Sequence, residues 1–162
     1  MLVDISINDL GVIRHSSAEL SEGLTVLTGE TGAGKTMVVT GLRLLAGGRA
    51  DASRVRDGAK KAAVEGHFSS AKESISQLVD SVGGEPDENG EFIVSRTVSA
   101  AGRSRAYLGG RAVPAATLGD FAREIITVHG QNDQLRLLAP EEQLAAVDRA
   151  DPKLARVRER YT

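Results

Sequence analysis

The stretch that most constrains this chain is Gly29-Glu30-Thr31-Gly32-Ala33-Gly34-Lys35-Thr36, which satisfies the pattern G-x-x-x-x-G-K-[ST] at every fixed position. Before it stands a compact apolar run, Leu24-Thr25-Val26-Leu27-Thr28, which predicts a buried strand. After it, Met37, Val38, Val39, Leu42, Leu44 and Leu45 predict a largely buried helix. A glycine-rich bend between strand and helix turns its backbone N–H groups inward, and the helix N-terminus adds positive potential. Lys35 is placed to reach the β- and γ-phosphates of a nucleotide, and the Thr36 hydroxyl to ligate Mg²⁺. The expected cofactors are therefore ATP and Mg²⁺, held by Gly29, Glu30, Thr31, Gly32, Ala33, Gly34, Lys35 and Thr36.

The cradle alone does not select a class, since kinases, GTPases, recombinases and ABC-type machines share it. Asp87-Glu88-Asn89-Gly90 imitates a GTPase D-x-x-G switch but lies in a polar turn, and no N-K-x-D motif accompanies it. A self-contained small-molecule kinase would need a mobile arginine-bearing lid, for which Arg96, Arg103, Arg105 and Arg111 are candidates; on the solvent faces of strands they would be ordinary surface charge. Hydrolysis also calls for a carboxylate at the end of an apolar strand. Gln77-Leu78-Val79-Asp80 and Leu144-Ala145-Ala146-Val147-Asp148 imitate one, but both have helical periodicity.

Elsewhere, Leu2–Ile7, Val12–Arg14 and Ala18–Leu20 read as short strands of a small β-layer. Gly47-Gly48 reads as the stop of the helix that follows the glycine loop. Ala62–Phe68 and Glu91–Val98 are expected strands, Ala71–Val82 an amphipathic helix, and Ser104–Leu108 with Arg111–Val113 a hairpin about Gly109-Gly110. Pro114 opens a helix to about Arg123, and Ile125–Val128 is a further strand leading to His129, to which no role is assigned. From Pro140 onward, Val147, Ala150, Leu154, Val157 and Tyr161 keep a three-four spacing suited to a helix entering a coiled coil or packing on its own domain.

With 162 residues, 41% hydrophobic, only 3% aromatic and no Trp, the core has to be aliphatic, which favours an α/β fold. The absence of cysteine excludes disulfides and thiolate metal sites. No apolar stretch long enough for a membrane span occurs, and a cytoplasmic protein is expected. A net charge of −2 gives no global attraction to nucleic acid, so any DNA contact has to be local.

Three segments in unbroken order resemble the RecN family of SMC-like ATPases. They are Ile5–Ile13 with Gly29–Thr36; Leu44–Asp51 through Val55–Gly58 and Val64–Phe68; and Val128-His129-Gly130-Gln131-Asn132-Asp133-Gln134-Leu135. The resemblance implies an α/β P-loop ATPase head of the ABC/SMC type, of which 1–139 is the N-terminal half and 140–162 the helices leading into a coiled coil. It implies that the signature motif and Walker B carboxylates belong to a C-terminal half of the same head, which would explain their lack here and leave this chain inactive or weak alone. By the same resemblance Gln131 is the Q-loop glutamine, touching Mg²⁺ and the attacking water. On its own it reads first as a polar residue satisfying backbone groups at a strand end. The implied partners are that C-terminal half, a second head across an ATP sandwich, and the ends of broken DNA in a nucleoid-associated repair process, with no membrane. Arg54 and Arg56, in the basic stretch from Arg49 to Lys61, are candidates for nucleotide or DNA contact, against a solvated basic loop. A non-enzymatic module that uses ATP to gate assembly is the remaining alternative.

Overall fold

The computed structural model describes residues 1–29 and 34–126. Glu30, Thr31, Gly32 and Ala33 of the loop, Gln131, and the helices expected over 140–162 lie outside the described residues.

A single sheet of six strands organises the described chain, in the order β2-β1-β3-β4-β5-β6. The strands are β1 (Leu2–Leu10), β2 (Ile13–Glu19), β3 (Lys61–Phe68), β4 (Phe92–Ser99), β5 (Ser104–Leu108) and β6 (Arg111–Val113). Every pairing among them is antiparallel. Alternation decides the faces: Ala62, Val64, Gly66 and Phe68 of β3 are buried with Phe92, Val94 and Val98 of β4, while their neighbours face outward. The two short strands expected over Val12–Leu20 are one strand, β2, continuous from Ile13.

The helices α1 (Gly34–Leu45), α2 (Glu73–Ser81) and α3 (Ala115–Ile125) close over the buried face. Phe121 of α3 meets Phe68 edge-on at 5.4 Å and Phe92 at 6.3 Å, so three aromatic rings supply the thickest part of an otherwise aliphatic core. Helix α1 lies close enough to the sheet that a Cβ on Gly41 would stand 3.1 Å from Ile7 and 3.3 Å from Val64. A glycine there sets how deeply the helix can settle.

Two expectations are corrected. Leu24–Thr28 forms no strand, and Leu24, Val26 and Leu27 are 88%, 67% and 54% exposed. An apolar run becomes a strand only if a neighbouring strand accepts its hydrogen bonds, and no described strand pairs with it. Ile125, expected to open a strand, ends α3; extended backbone begins at Ile126. Among the described residues no helix is long and apolar enough to cross a membrane.

Candidate functional site

The two ends of the glycine loop are on view. Gly34 opens α1, and Lys35 follows in its first turn with its Nζ donating to the Gly29 carbonyl at 2.6 Å, which brings the ammonium back across the loop onto its first residue. Thr36 is exposed in the same turn, and its carbonyl accepts a hydrogen bond from the Thr40 hydroxyl at 2.8 Å. No acidic residue stands in this first turn, so among the described residues of the turn no carboxylate offsets the positive end of the helix dipole. A Cβ built on Gly29 or Gly34 would meet no atom within 4 Å. Open space, an ammonium, a hydroxyl and a helix N-terminus without a carboxylate in its first turn fit a phosphate chain and its metal.

The opposite end of α1 is held fast. Gly47 takes φ 78°, its N–H bonds to the Leu44 carbonyl at 3.1 Å, and the Gly48 N–H reaches back to Arg43 at 2.8 Å. This paired closure is the Schellman stop anticipated for Gly47-Gly48. The loop helix is therefore anchored by its C-terminus and by Gly41, leaving the cradle at its free end.

Arg54 and Arg56 come from a separate segment that docks on the β1–β2 turn. The Asp51 carboxylate accepts from the Ser53 amide at 2.9 Å and hydroxyl at 2.7 Å, starting a 3₁₀ turn over Ala52–Arg54. Those two bonds, hydroxyl first, hold the Asp51 carboxyl below its ordinary value. The Gly11 N–H then bonds to the Arg54 carbonyl at 2.6 Å, the Arg56 N–H to Asp9 at 2.9 Å, and Arg56 Nη1 to the Val12 carbonyl at 3.0 Å. Because the Met37 side chain packs on Gly11, the segment is brought beside the first turns of α1. Arg54 is half-exposed and stands 3.9 Å from Asp51.

Of the four arginines weighed for a lid, Arg96 is not on a solvent face. It is 4% exposed, on the core side of β4 between Val94 and Val98. The strict alternation Phe92, Val94, Arg96, Val98 is the signal that points to this placement. Arg111 is tied by its Nε to the Gly83 carbonyl at 2.6 Å. A lid made from this set would have to release both. On the open face of the sheet, His67 lies 3.1 Å from Asp4 and 3.8 Å from Glu91.

The family described as AAA domain matches residues 4–159. DNA repair protein RecN of Mycobacterium leprae is 55% identical over 98% of this chain, and its counterpart in Streptomyces coelicolor is 54% identical over 88%. The chain spans 29% and 25% of the length of these two curated relatives. A structure from work on ATP-driven dimerization and DNA stimulated activation of SMC ATPases superposes with a TM-score of 0.65 at 18% identity, covering 93% of this chain and 99% of that one. At that identity the likeness speaks for the fold, which is the α/β fold of an SMC-type ATPase head. The chain belongs to the AAA domain family, as a RecN-like member with the fold of an SMC-type head.

Proposed function

We propose that this chain is the ATP-binding N-terminal part of the head of a RecN-like ATPase that acts in recombinational repair of DNA double-strand breaks, in the cytoplasm and on the nucleoid. The observation that carries the reading is the free end of α1: Lys35 folded back onto Gly29, with no carboxylate in the turn and α1 itself anchored elsewhere. Gly29, Gly34 and the amides of Glu30, Thr31, Gly32 and Ala33 would line the phosphate path. Lys35 would neutralise the β- and γ-phosphates, and Thr36 together with Gln131 would hold Mg²⁺. Bound MgATP supplies a γ-phosphoryl group that water can accept. The chain's own residues bind and orient it; they offer no general base in the described part of the site.

Two features support the partners in this reading. The exposed run Leu24, Val26 and Leu27 is a strand in composition without a pairing neighbour among the described residues, and the C-terminal half of the head would add one there. Arg54 and Arg56, docked beside α1, would face nucleotide or DNA. A second head, closing over ATP, completes the arrangement. The kinase alternative is weakened by the burial of Arg96, and the assembly-module alternative differs from the main reading only in whether turnover follows when the second half-head is supplied.

Thermal melts with and without MgATP test the cradle. Nucleotide at a hundredfold excess over its dissociation constant stabilises the chain by about 2.7 kcal/mol. In Lys35→Ala that shift shrinks or disappears, and equal shifts in the two proteins would remove the cradle from consideration. ATPase activity is expected to be weak alone and to rise on addition of the second half-head.

A further inference from the structure

The face of the sheet away from the helices carries a cluster that the nucleotide site does not use. His67, at an outward position of β3, has its Nδ1 3.1 Å from a carboxylate oxygen of Asp4 and 3.8 Å from one of Glu91. Asp87 joins them, since one ligand atom each from His67, Asp87 and Glu91 lie within 4.8 Å of one another. Two local devices bring these residues together. In β1 a bulge between Leu2 and Asp4 shifts the pairing with β3, so that Asp4 stands opposite His67 where an unbroken ladder would put Val3. In the turn before β4, Asp87 Oδ1 accepts from the Asn89 amide at 2.9 Å and from the Glu91 amide at 2.8 Å, which leaves Oδ2 for a ligand and holds Glu91 beside the imidazole.

The charge balance of the cluster calls for a cation. Three carboxylates surround one imidazole, which brings at most one positive charge, and among the described residues no Lys or Arg forms an ion pair with Asp4, Asp87 or Glu91. The side chains of His67, Asp4 and Glu91 are 29%, 34% and 20% exposed, so water screens the repulsion among the carboxylates only in part. An ordinary ion pair matches one carboxylate to one imidazolium and leaves the other two unmatched. The donor set also selects the kind of cation. An imidazole nitrogen suits zinc and its neighbours in the transition series, whereas magnesium and calcium prefer oxygen ligands. Ligands ~2.0–2.2 Å from a tetrahedral ion stand roughly 3.3–3.6 Å from one another, and the separations of 3.1 and 3.8 Å about His67 straddle that spacing.

We propose that His67, Asp87 and Glu91, with Asp4 as the fourth donor, form a site for one divalent transition-metal ion, zinc in the first place, which ties β1 and the turn before β4 to β3. The site does not depend on the ATP cradle, because Met37, Leu44 and Leu45 of α1 pack in the core on the other face of the sheet. The test is thermal melting of the chain, freed of metal with EDTA and dialysed, without nucleotide and over a zinc chloride series, with calorimetric titration for the stoichiometry. Zinc at a hundredfold excess over its Kd is expected to raise the Tm of the parent by about 5–10 °C, with one ion bound per chain. His67→Gln and Glu91→Gln are expected to lose that rise. Asp87→Asn, which keeps the Oδ1 acceptor of the turn, is expected to weaken zinc binding while leaving the fold intact. Without metal, Glu91→Gln is expected to melt at or above the parent, because it removes one of the repelling charges; a Glu91 that served only to pair with His67 would instead lower the metal-free Tm when replaced. Absence of a zinc-dependent rise in the parent, or an equal rise in the parent and the folded variants, would overturn the proposal. So would magnesium acting as strongly as zinc, since His67 would then contribute nothing. Lys35→Ala is expected to keep the full zinc response, so that failure of the cradle and failure of this site are read separately.

Discussion

Helix α1 is closed at its C-terminus, where Gly47 and Gly48 return their amides to Leu44 and Arg43 and where Leu44 and Leu45 are buried. At its N-terminus it is open: Gly34 has empty space around it, Thr36 is exposed, and among the described residues the Lys35 ammonium bonds to the Gly29 carbonyl alone. The closed end spends its hydrogen-bonding capacity inside the fold, whereas the open end keeps it for something else. Helix N–H groups kept for a ligand are not spent on the fold, so the contrast locates binding capacity more sharply than composition does. The same contrast separates Val94, fully buried in β4, from Val26, two-thirds exposed in the run before the loop.

The largest effect should come from the closed side. Phe121→Ala removes a ring that touches both Phe68 and Phe92, and a loss of about 3–5 kcal/mol in urea unfolding is expected. A loss below ~1 kcal/mol would mean the three-ring cluster does not hold α3. Gly47→Ala combines a left-handed backbone with a Cβ placed 2.7 Å from the Gly119 amide nitrogen, and about 2–4 kcal/mol should be lost. Gly34→Ala is its counterpart at the open end. There, apo stability should stay within about 0.5 kcal/mol while the MgATP-dependent rise in Tm shrinks, and a large apo loss would show that this end is structural after all. Val26→Ser should likewise cost less than about 0.5 kcal/mol, where Val94→Ser costs several-fold more. Smallest is a local pH effect at Asp51. Its carboxyl is held below the ordinary value, so its contribution is present above the unfolded pKa and lost as pH falls through the folded one. Amide-exchange protection at Ser53 should drop on acidification below the ordinary Asp range in the parent, and that drop should be absent in Asp51→Asn.

Elements whose partners are close along the chain were the most legible. The hairpin β5–β6 has the limits that its alternation and the Gly109-Gly110 turn imply, and β3 and β4 begin within one residue of expectation. Pro114 precedes α3 as its missing N–H requires. Leu24–Thr28 reads as strand because its residues suit a pleated, buried surface, but the property depends on a pairing neighbour, which residue types cannot supply. Arg96 was misread for the opposite reason. Charge argued for solvent, while the alternation of β4 argued for the core, and alternation prevailed because shifting the register would have turned Val94 and Val98 outward. At the candidate site the loop motif and the glycine stop were readable in full, since each depends on local backbone chemistry. The docking of Arg56 onto Val12, across 44 residues, was not.

The stop at Gly47 has a mechanical side. A Cβ there would press on the backbone of Ala115 and Gly119, so the last turn of α1 abuts the first turn of α3. Twelve residues at about 1.5 Å each make α1 a strut of roughly 18 Å with the glycine loop at one tip and α3 at the other. Interiors this tightly filled yield by sliding whole elements, not by compressing them. An axial displacement of α1 at Lys35 would therefore have to move the first turn of α3 at Ala115 as well.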